Sequence, residues 1–353
     1  MATTTVATAS QVQKWDARFL AEYVRGSGFM PYMGRGSNSV IMTKYELSSG
    51  GKTINMPLVT RLTGSGVTGN SPLEGNEEAL GNYNHSISID WYRNAVLVTK
   101  DQQHYTEMDL RRAARDQLQN WAMSSLRDDV ITALGSIDGT AYGSASESAK
   151  DAWLANNSDR VLFGDAISNG GYTDHSADLA TVTASMTLGA AEVSLMKRIA
   201  KNADPHIRPM RVNNQAGREY FVLFTDSRCF RDLKLDSTIA QANREARPRD
   251  VDSNPIFQDG DLIYDGVIIR EIPEIASLGG VGAASAAVSP AYLCGAQAIG
   301  VAWGQEPRST TDTRDYGFYR GVGIEEARGV EKMVFNSVQH GVVTGYFGAA
   351  ADA

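Results

Sequence analysis

An α+β fold is predicted by the periodicity of the apolar residues. Two runs, at residues 54–58 and 83–91, alternate apolar and polar side chains with the period of two that is typical of strands. Two longer runs, at about 106–134 and 188–203, repeat their apolar residues at the helical period. Shorter strand-like segments follow in the C-terminal half, and no tandem repeat is evident.

The composition excludes several classes of protein. The 353 residues are 42% hydrophobic and 21% charged, which is typical of globular proteins and allows two or three domains. Cys229 and Cys294 are far apart and match no metal or redox motif, so buried free thiols are expected. The net charge of -8 argues against a protein that reads nucleic-acid sequence. The N-terminus has no pattern of a secretory signal, so synthesis in the cytoplasm is expected.

The N-terminal segment at residues 10–25 is predicted to form an amphipathic helix. Ser10 is a candidate N-cap, and Trp15 and Phe19 lie on the apolar face. Glycines and a proline then break regular structure before the next segment. The apolar face of the helix must be buried against another surface.

Two strands of one hairpin are predicted from Lys52 onward. The second strand places three large apolar residues on one face: Ile87, Ile89 and Trp91. A two-stranded ribbon is marginally stable alone in water, so this face needs a cover. Either the protein's own core or a neighbouring subunit could supply it.

The connection between the two hairpin strands is long, glycine-rich and acidic. Its acidic residues are Glu74, Glu77 and Glu78. Compact hairpin loops have only about 2 to 5 residues, and this connection is far longer. The length favours a neighbouring subunit as the cover of the ribbon.

The longest helix is predicted from Thr106 to Leu134, with Gly135 as its stop. Thr106 and Asp109 resemble a capping box. Three arginines follow in the first turns: Arg111, Arg112 and Arg115. A solvated helix face is the ordinary interpretation of this cluster, contact with an acidic neighbour is the alternative, and a position facing the interior of an assembly is a third option.

The remaining chain is predicted to be a mixture of short elements. Residues 138–185 are rich in Gly, Ser, Asn and Asp and are expected to be an irregular insertion, followed by a helix at about 188–203. The uncharged stretch at 275–305 is rich in small residues and interrupted by Pro290, which favours a loop and a buried strand over a membrane span. The other predicted elements are strands at 220–224, 262–272 and 292–303, a short helix or turn at 227–233, and a surface loop at 244–250.

No enzyme, metal or cofactor site is predicted. Residues 64–69 match a dinucleotide-binding fingerprint, but Pro72 and Gly75 follow where the fingerprint needs a helix. Residues 250–261 imitate a calcium loop, but Pro255 replaces the glycine of its sharp turn. The five histidines form no ligand pair, and no nucleophile motif or P-loop occurs.

Several segments, in this order and spacing, carry a family resemblance. They are Met56-Pro-Leu-Val-Thr-Arg-Leu-Thr-Gly-Ser-Gly-Val, Leu73-Glu-Gly-Asn-Glu-Glu, Tyr83-Asn, Leu293-Cys-Gly-Ala-Gln-Ala, Asp315-Tyr-Gly-Phe and Gly329-Val-Glu-Lys-Met-Val-Phe-Asn. Together with the arm, hairpin, long helix and final strands, they resemble the major capsid protein of tailed bacteriophages, and most closely the podovirus-type coat family. The resemblance covers most of the chain except residues 138–185.

The resemblance implies the α+β coat fold shared by tailed phages and herpesviruses. It divides the chain into an N-terminal arm at 1–49, an E-loop hairpin at 50–100, a P-domain at 101–210 with a spine helix at 106–134 and an insertion at 138–185, an A-domain at 211–302, and P-domain return strands with the C-terminus at 303–353.

The resemblance also implies a structural role. Copies of the chain would assemble as pentamers and hexamers into an icosahedral shell around double-stranded DNA, in the virion, after synthesis and assembly in the host cytoplasm. A portal protein is an expected partner, and a decoration protein is compatible with this role. A separate scaffolding protein is expected because only about fifty residues precede the hairpin, too few for the large built-in scaffolding domain that some relatives carry. No membrane partner is expected.

Contacts between subunits are expected at the apolar and charged residues singled out above. They are Trp15, Phe19, Glu74, Glu77, Glu78, Ile87, Ile89, Trp91, Arg111, Arg112 and Arg115, with the glutamates facing the arginines of a neighbour. Two alternatives remain open. An encapsulin-like compartment would enclose protein cargo, and an unrelated surface-layer protein would form sheets.

Overall fold

The computed structural model describes residues 28–70, 72–106, 108–165, 172–211, 219–246 and 262–350. The α-helices are α1 (Lys100–Tyr105), α2 (Leu110–Gly135), α3 (Glu147–Asn156), α4 (His175–Leu179), α5 (Ala190–Asn202), α6 (Ser227–Leu235) and α7 (Ser237–Ala246). The strands are β1 (Met33–Gly34), β2 (Ile41–Lys44), β3 (Thr53–Val59), β4 (Asn82–Ser88), β5 (Asp90–Thr99), β6 (Val161–Phe163), β7 (Met210–Arg211), β8 (Glu219–Thr225), β9 (Leu262–Tyr264), β10 (Val267–Glu271), β11 (Val288–Cys294), β12 (Ile299–Arg314), β13 (Tyr319–Lys332), β14 (Val334–Phe335), β15 (Val338–Gln339) and β16 (Val342–Gly348).

The described residues fall into two compact units. The outer-strand unit contains residues 91–125 and 305–327, and the main unit contains residues 28–90, 126–304 and 328–350. The predicted helix at 10–25, with Trp15 and Phe19, lies outside the described residues, as does the calcium-like segment at 250–261.

A seven-stranded mixed sheet forms the centre of the main unit. Its strands follow the order β6-β16-β11-β8-β10-β9, and β7 pairs with β8 off this path. The β6–β16 and β8–β10 pairs are parallel, and the β16–β11, β11–β8 and β10–β9 pairs are antiparallel. The sheet therefore joins strands from three predicted segments: the insertion, the A-domain and the C-terminal return.

Both faces of this sheet are covered. Along β8, Leu223 packs into a cluster with α5 and α6, while Val222 and Phe224 pack into a cluster with the C-terminal half of α2. This alternation is the period of two that places successive strand residues on opposite faces. Because neither face meets water there, the strand is buried and apolar from Phe221 to Phe224, and the strand predicted at 220–224 is confirmed.

A five-stranded sheet has the order β1-β2-β12-β13-β5. In the main unit, β2 pairs with only the first residues of β12, from Ile299 to Ala302. In the outer-strand unit, Leu118 and Ala122 of α2 pack against Val322 and Ile324 of β13. The long helix therefore buries an apolar face in each of the two units.

The long helix differs from its prediction at its start. It begins at Leu110 and not at Thr106, and it ends at Gly135 as predicted. The Asp109 carboxylate accepts hydrogen bonds from the backbone N–H groups of Arg111 and Arg112, and so occupies the capping position. At 1.5 Å per residue, the helix is about 39 Å long. The preceding helix α1 was not predicted.

The segment at 138–185 is more regular than its composition predicts. The prediction of an irregular insertion is wrong at α3, which is a regular helix. It begins after Ser146, and the Ser146 hydroxyl accepts a hydrogen bond from Ala149 N–H. Trp153 and Leu154 of α3 are buried with Phe163 of β6. Two well-placed apolar residues and a cap are sufficient here because tertiary packing stabilises short helices.

Three further boundaries differ from the sequence prediction. The strand predicted at 262–272 is a hairpin of β9 and β10, joined by Asp265 and Gly266, which both have positive φ. The strand predicted at 292–303 is two strands, β11 and β12. The loop predicted at 244–250 is wrong for its first residues, because α7 continues to Ala246.

Candidate interaction surfaces

The apolar face of the β3–β4 ribbon is covered by its own chain. The strands pair antiparallel with Met56 opposite His85, and Met56 and Ile87 pack with Met333 and Phe335. Ile87 is fully buried. The expectations that a neighbour covers this face and that Ile87 contacts another subunit are therefore wrong, because the C-terminal strands supply the cover.

The long connection, residues 60–81, is here called the tip, and one of its glutamates closes it on itself. Glu78 accepts hydrogen bonds from the N–H groups of Thr63 and Gly64, each at 2.7 Å. These bonds lower the pKa of Glu78. At the first strand's end, Arg61 forms a 3.1 Å ion pair with Asp204. Glu78 therefore closes the tip on itself, and because its side chain is exposed its contact with a neighbouring subunit stays a prediction.

The other two acidic residues of the tip, Glu74 and Glu77, make fewer hydrogen bonds within the chain than Glu78 does. One carboxylate oxygen of Glu77 accepts a 2.8 Å hydrogen bond from Gly75 N–H. Glu74 is exposed and has no ion pair with the described residues. Four large apolar side chains around them are also exposed: Val59, Leu62, Leu73 and Leu80.

Strand β5 lies at the edge of the five-stranded sheet. Trp91 is 60% exposed there, and Val96 and Leu97 are also exposed. Ile89, just before this strand, is half-buried against the cluster that covers the ribbon. An edge strand with exposed apolar side chains is typical of a surface that pairs with another chain.

The three arginines of α2 lie in different environments. Arg112 and Arg115 are exposed. Arg111 is half-buried, and its Nε atom is fully buried without a hydrogen-bond partner among the described residues. The structure does not bring these arginines and the tip glutamates of one chain into any ion pair between described residues.

Arg111 lines a groove of about 590 Å³ in the outer-strand unit. The other charged, histidine and aromatic side chains of its wall are Lys100, Asp101, His104, Tyr105, Phe318 and Arg320. The sequence analysis missed Lys100 and Arg320. They lie 220 positions apart, and only the pairing of β5 with β13 brings their segments together.

Three carboxylates lie where α3 meets α4. The oxygens of Glu147, Asp151 and Asp174 lie within 4.8 Å of one another. Asp151 accepts a hydrogen bond from His175 N–H, and Asp174 accepts one from Ala177 N–H. These bonds cap and position α4, so we assign the cluster a structural role.

Buried ionisable groups of the main unit show the effect of desolvation. Burial raises the pKa of both thiols, Cys229 and Cys294, which makes them poor nucleophiles. Burial lowers the pKa of Lys332 to about 8 and that of His340 to about 4. No described helix has the length and apolar character needed to cross a membrane.

Comparisons with known proteins agree on one family. A family model described as phage capsid protein matches residues 3–346. The major capsid protein of Pseudomonas phage KPP25 is 26% identical over 371 residues, which cover 97% of this chain and 94% of that protein.

Solved structures resemble the chain over its full length. The capsid asymmetric unit of Cyanophage Pam1 matches with a TM-score of 0.90 and 44% identity, covering 100% of both chains. The capsid of Ralstonia phage GP4 has the same fold, with a TM-score of 0.78 at 22% identity over 100% of both chains. With the family match and these folds spanning almost every residue, the chain belongs to the phage capsid protein family, as a major capsid protein of the tailed-phage type.

Proposed function

We propose that copies of this chain assemble as pentamers and hexamers into a closed icosahedral shell that encloses double-stranded DNA. The observation that carries the proposal is the full-length match, at 44% identity, to the capsid asymmetric unit of Cyanophage Pam1. In this proposal the chain acts structurally and not as an enzyme.

Assembly takes place in the host cytoplasm, with a separate scaffolding protein and a portal protein as partners. The DNA is held without sequence specificity. The net charge of -8 supports a container over a tight DNA binder, because phosphate contacts come from Lys and Arg.

The contact surfaces are the edge strand β5 and the tip. Trp91, with Val96 and Leu97, packs against a second copy of the chain, since an exposed apolar edge needs a cover that the described residues do not provide. Arg112 and Arg115 lie at the rim of such contacts, where charges orient partners. Trp15 and Phe19 remain predicted contacts of the N-terminal arm.

Microscopy of native particles, followed by nuclease treatment, tests the proposal. We expect closed shells that contain double-stranded DNA protected from added nuclease. Closed shells that contain protein cargo and no DNA would identify an encapsulin-like compartment. Flat sheets would identify a surface-layer protein. Either outcome would overturn the proposed function.

A further inference from the structure

The apolar face of the β3–β4 ribbon meets the C-terminal strands at three aromatic side chains, here called the ring cluster: His85, Phe335 and His340. His85 belongs to β4 and Phe335 to β14. The ring centroid of Phe335 lies 5.9 Å from that of His85 and 5.0 Å from that of His340, and both contacts are edge-to-face. The contact that holds the ribbon therefore includes two histidines that can each gain a proton.

His85 is placed so that its neutral form is favoured. Its side chain is only 13% exposed, and its Nε2 atom is buried without a hydrogen-bond partner among the described residues. The charged group that faces it is Glu331 of β13, whose Oε2 atom lies 3.4 Å from Nε2. Burial raises the pKa of Glu331, which weakens this carboxyl as a counter-ion in acid. Burial also lowers the pKa of His85.

His340 has a cation as its charged neighbour. Arg160 is fully buried, and its guanidinium donates a 2.6 Å hydrogen bond to the carbonyl oxygen of Gln339, the residue before His340. The Asp159 carboxylate already pairs with Arg160 at 2.8 Å. Burial, and then the charge of Arg160, lower the pKa of His340 to about 4. A proton on His340 would therefore place a second cation close to Arg160.

A groove of about 620 Å³ runs beside the ring cluster, with Phe335 and His340 in its wall. The other ionisable side chains of the wall are Arg61, Glu78, Tyr83, Asp204 and His206. Asp204 pairs with Arg61 at 3.1 Å, and Glu78 accepts hydrogen bonds from two backbone N–H groups of the tip. The groove lets a proton reach His340, but both of its carboxylates already bind other groups.

We propose that the ring cluster is a pH-sensitive switch: when His85 and His340 gain protons, the β3–β4 ribbon separates from β14 and β15 while the seven-stranded sheet stays folded. Separation exposes both rings, and a charged imidazole is more stable in water than in a buried contact with Phe335. The switch lies within a single chain, so it goes beyond the proposed function and operates whether or not shells form.

Acid favours the open form because the open form binds more protons. Once exposed to water, both histidines take up a proton at their ordinary pKa of 6.5, whereas the closed contact lowers the pKa of each. The contact is therefore most stable above about pH 6.5 and weakens as the pH falls towards 4. The pKa of Glu331 is raised in the closed form, so its protonation has the opposite effect and cannot open the contact.

Hydrogen exchange of the full-length chain at pH 7.5 and pH 4.5 tests the switch, with protection factors corrected for the pH dependence of the intrinsic exchange rate. At pH 4.5, His340 alone should make opening about 70-fold more frequent. A released two-stranded ribbon is marginally stable, so the protection of β3 and β4 should fall by this factor or more. The amides of β8 and β11 should keep their protection.

A double variant, His85→Phe with His340→Phe, keeps aromatic rings against Phe335 but cannot take up the two protons. It should protect the ribbon as the unaltered chain does at pH 7.5, and lose no more than about twofold at pH 4.5. If it fails to fold, His340→Gln replaces it and should leave only the part of the fall that comes from His85. The matched control is His104→Gln, an exposed histidine of the outer-strand unit, which should show the full fall.

Three outcomes would overturn the switch. The first is equal protection of the ribbon at both pH values in the unaltered chain. The second is a full fall in the double variant or its replacement, which would assign the response to other groups. The third is loss of protection in β8 and β11 together with the ribbon, which would mean global unfolding. None of these measurements requires shells, so a chain that forms no shells would overturn the proposed function and leave the switch standing.

Discussion

Arg160, Arg328 and Lys332 are cations that the main unit buries almost completely. Arg160 pairs with Asp159 at 2.8 Å, and Arg328 pairs with Asp129 at 2.7 Å. Lys332 has no carboxylate at ion-pair distance among the described residues. Its Nζ donates instead to a backbone carbonyl at the end of α2. A buried charge without a counter-ion is costly, which is why the pKa of Lys332 is lowered to about 8.

Replacing Lys332 with methionine should change how stability depends on pH. The lysine keeps its proton up to about pH 10.5 in the unfolded chain but loses it near pH 8 in the folded chain. Between these values the unfolded state binds more protons, so the lysine's contribution to stability rises with pH. From pH 7 to pH 9.5 the unaltered chain should gain about 2 kcal/mol relative to Lys332→Met. Denaturant unfolding of dissociated subunits at both pH values measures this difference.

The matched control is Arg328→Met. Removing the guanidinium leaves the Asp129 carboxylate without its buried partner, so this variant should lose about 3 kcal/mol at pH 7. Lys332→Met should be neutral or more stable at the same pH. If Lys332→Met loses as much free energy of unfolding as Arg328→Met, the charge of Lys332 is well stabilised by its surroundings in the folded chain.

At the scale of the elements, periodicity predicted the helices and strands that are long or regular. It missed the elements whose formation depends on contacts with distant residues. The β3–β4 pair and α5 were confirmed because their apolar positions repeat over several turns or strand residues. The start of α2 was misplaced because Thr106 and Asp109 are both good capping residues, and only the hydrogen bonds distinguish them. The Asp265-Gly266 turn was a readable signal that the sequence analysis overlooked.

The cap of the long helix offers a test at this scale. Asp109→Ala removes the acceptor of two N–H groups in the first turn of α2. We expect a loss of about 1 kcal/mol in the free energy of unfolding, with faster hydrogen exchange at residues 111–112. Asp109→Asn retains a capping oxygen, so its free energy of unfolding should stay within a few tenths of a kcal/mol of that of the unaltered chain. Equal losses in both variants would mean that the charge, and not the cap, stabilises the helix.

At the scale of the whole molecule, the sequence predicts which segments contact other subunits, but it does not show which of their atoms are free to do so. The acidic tip and its length were visible in the sequence. The hydrogen bond from Thr63 N–H to Glu78 was not visible in the sequence, because it depends on how the loop closes. The burial of Ile87 was not visible in the sequence either, because Phe335, which packs in the same cluster, lies almost 250 residues away in the chain. Contacts at such separation leave no periodic signal.

Deleting the tip should leave the strand pairing of the ribbon that carries it in place. Deleting residues 64–81 leaves Thr60 to Thr63 between β3 and β4, and a loop of four residues is within the usual range of about 2 to 5 for hairpins. The cluster of Met56, Ile87 and Phe335 stays intact. We expect a folded, soluble subunit that forms no shells, judged by circular dichroism and microscopy.

A length-matched variant separates recognition from spacing. Replacing residues 64–81 with Gly and Ser keeps the reach of the loop but removes Leu73, Glu74 and Glu77. If the tip acts through its side chains, this variant fails to assemble as the deletion does. Shells from the Gly-Ser variant, but not from the deletion, would mean that the tip is only a spacer. Shells from the deletion itself would remove the tip from assembly, and the exposed edge of β5 would then have to carry the contact between subunits.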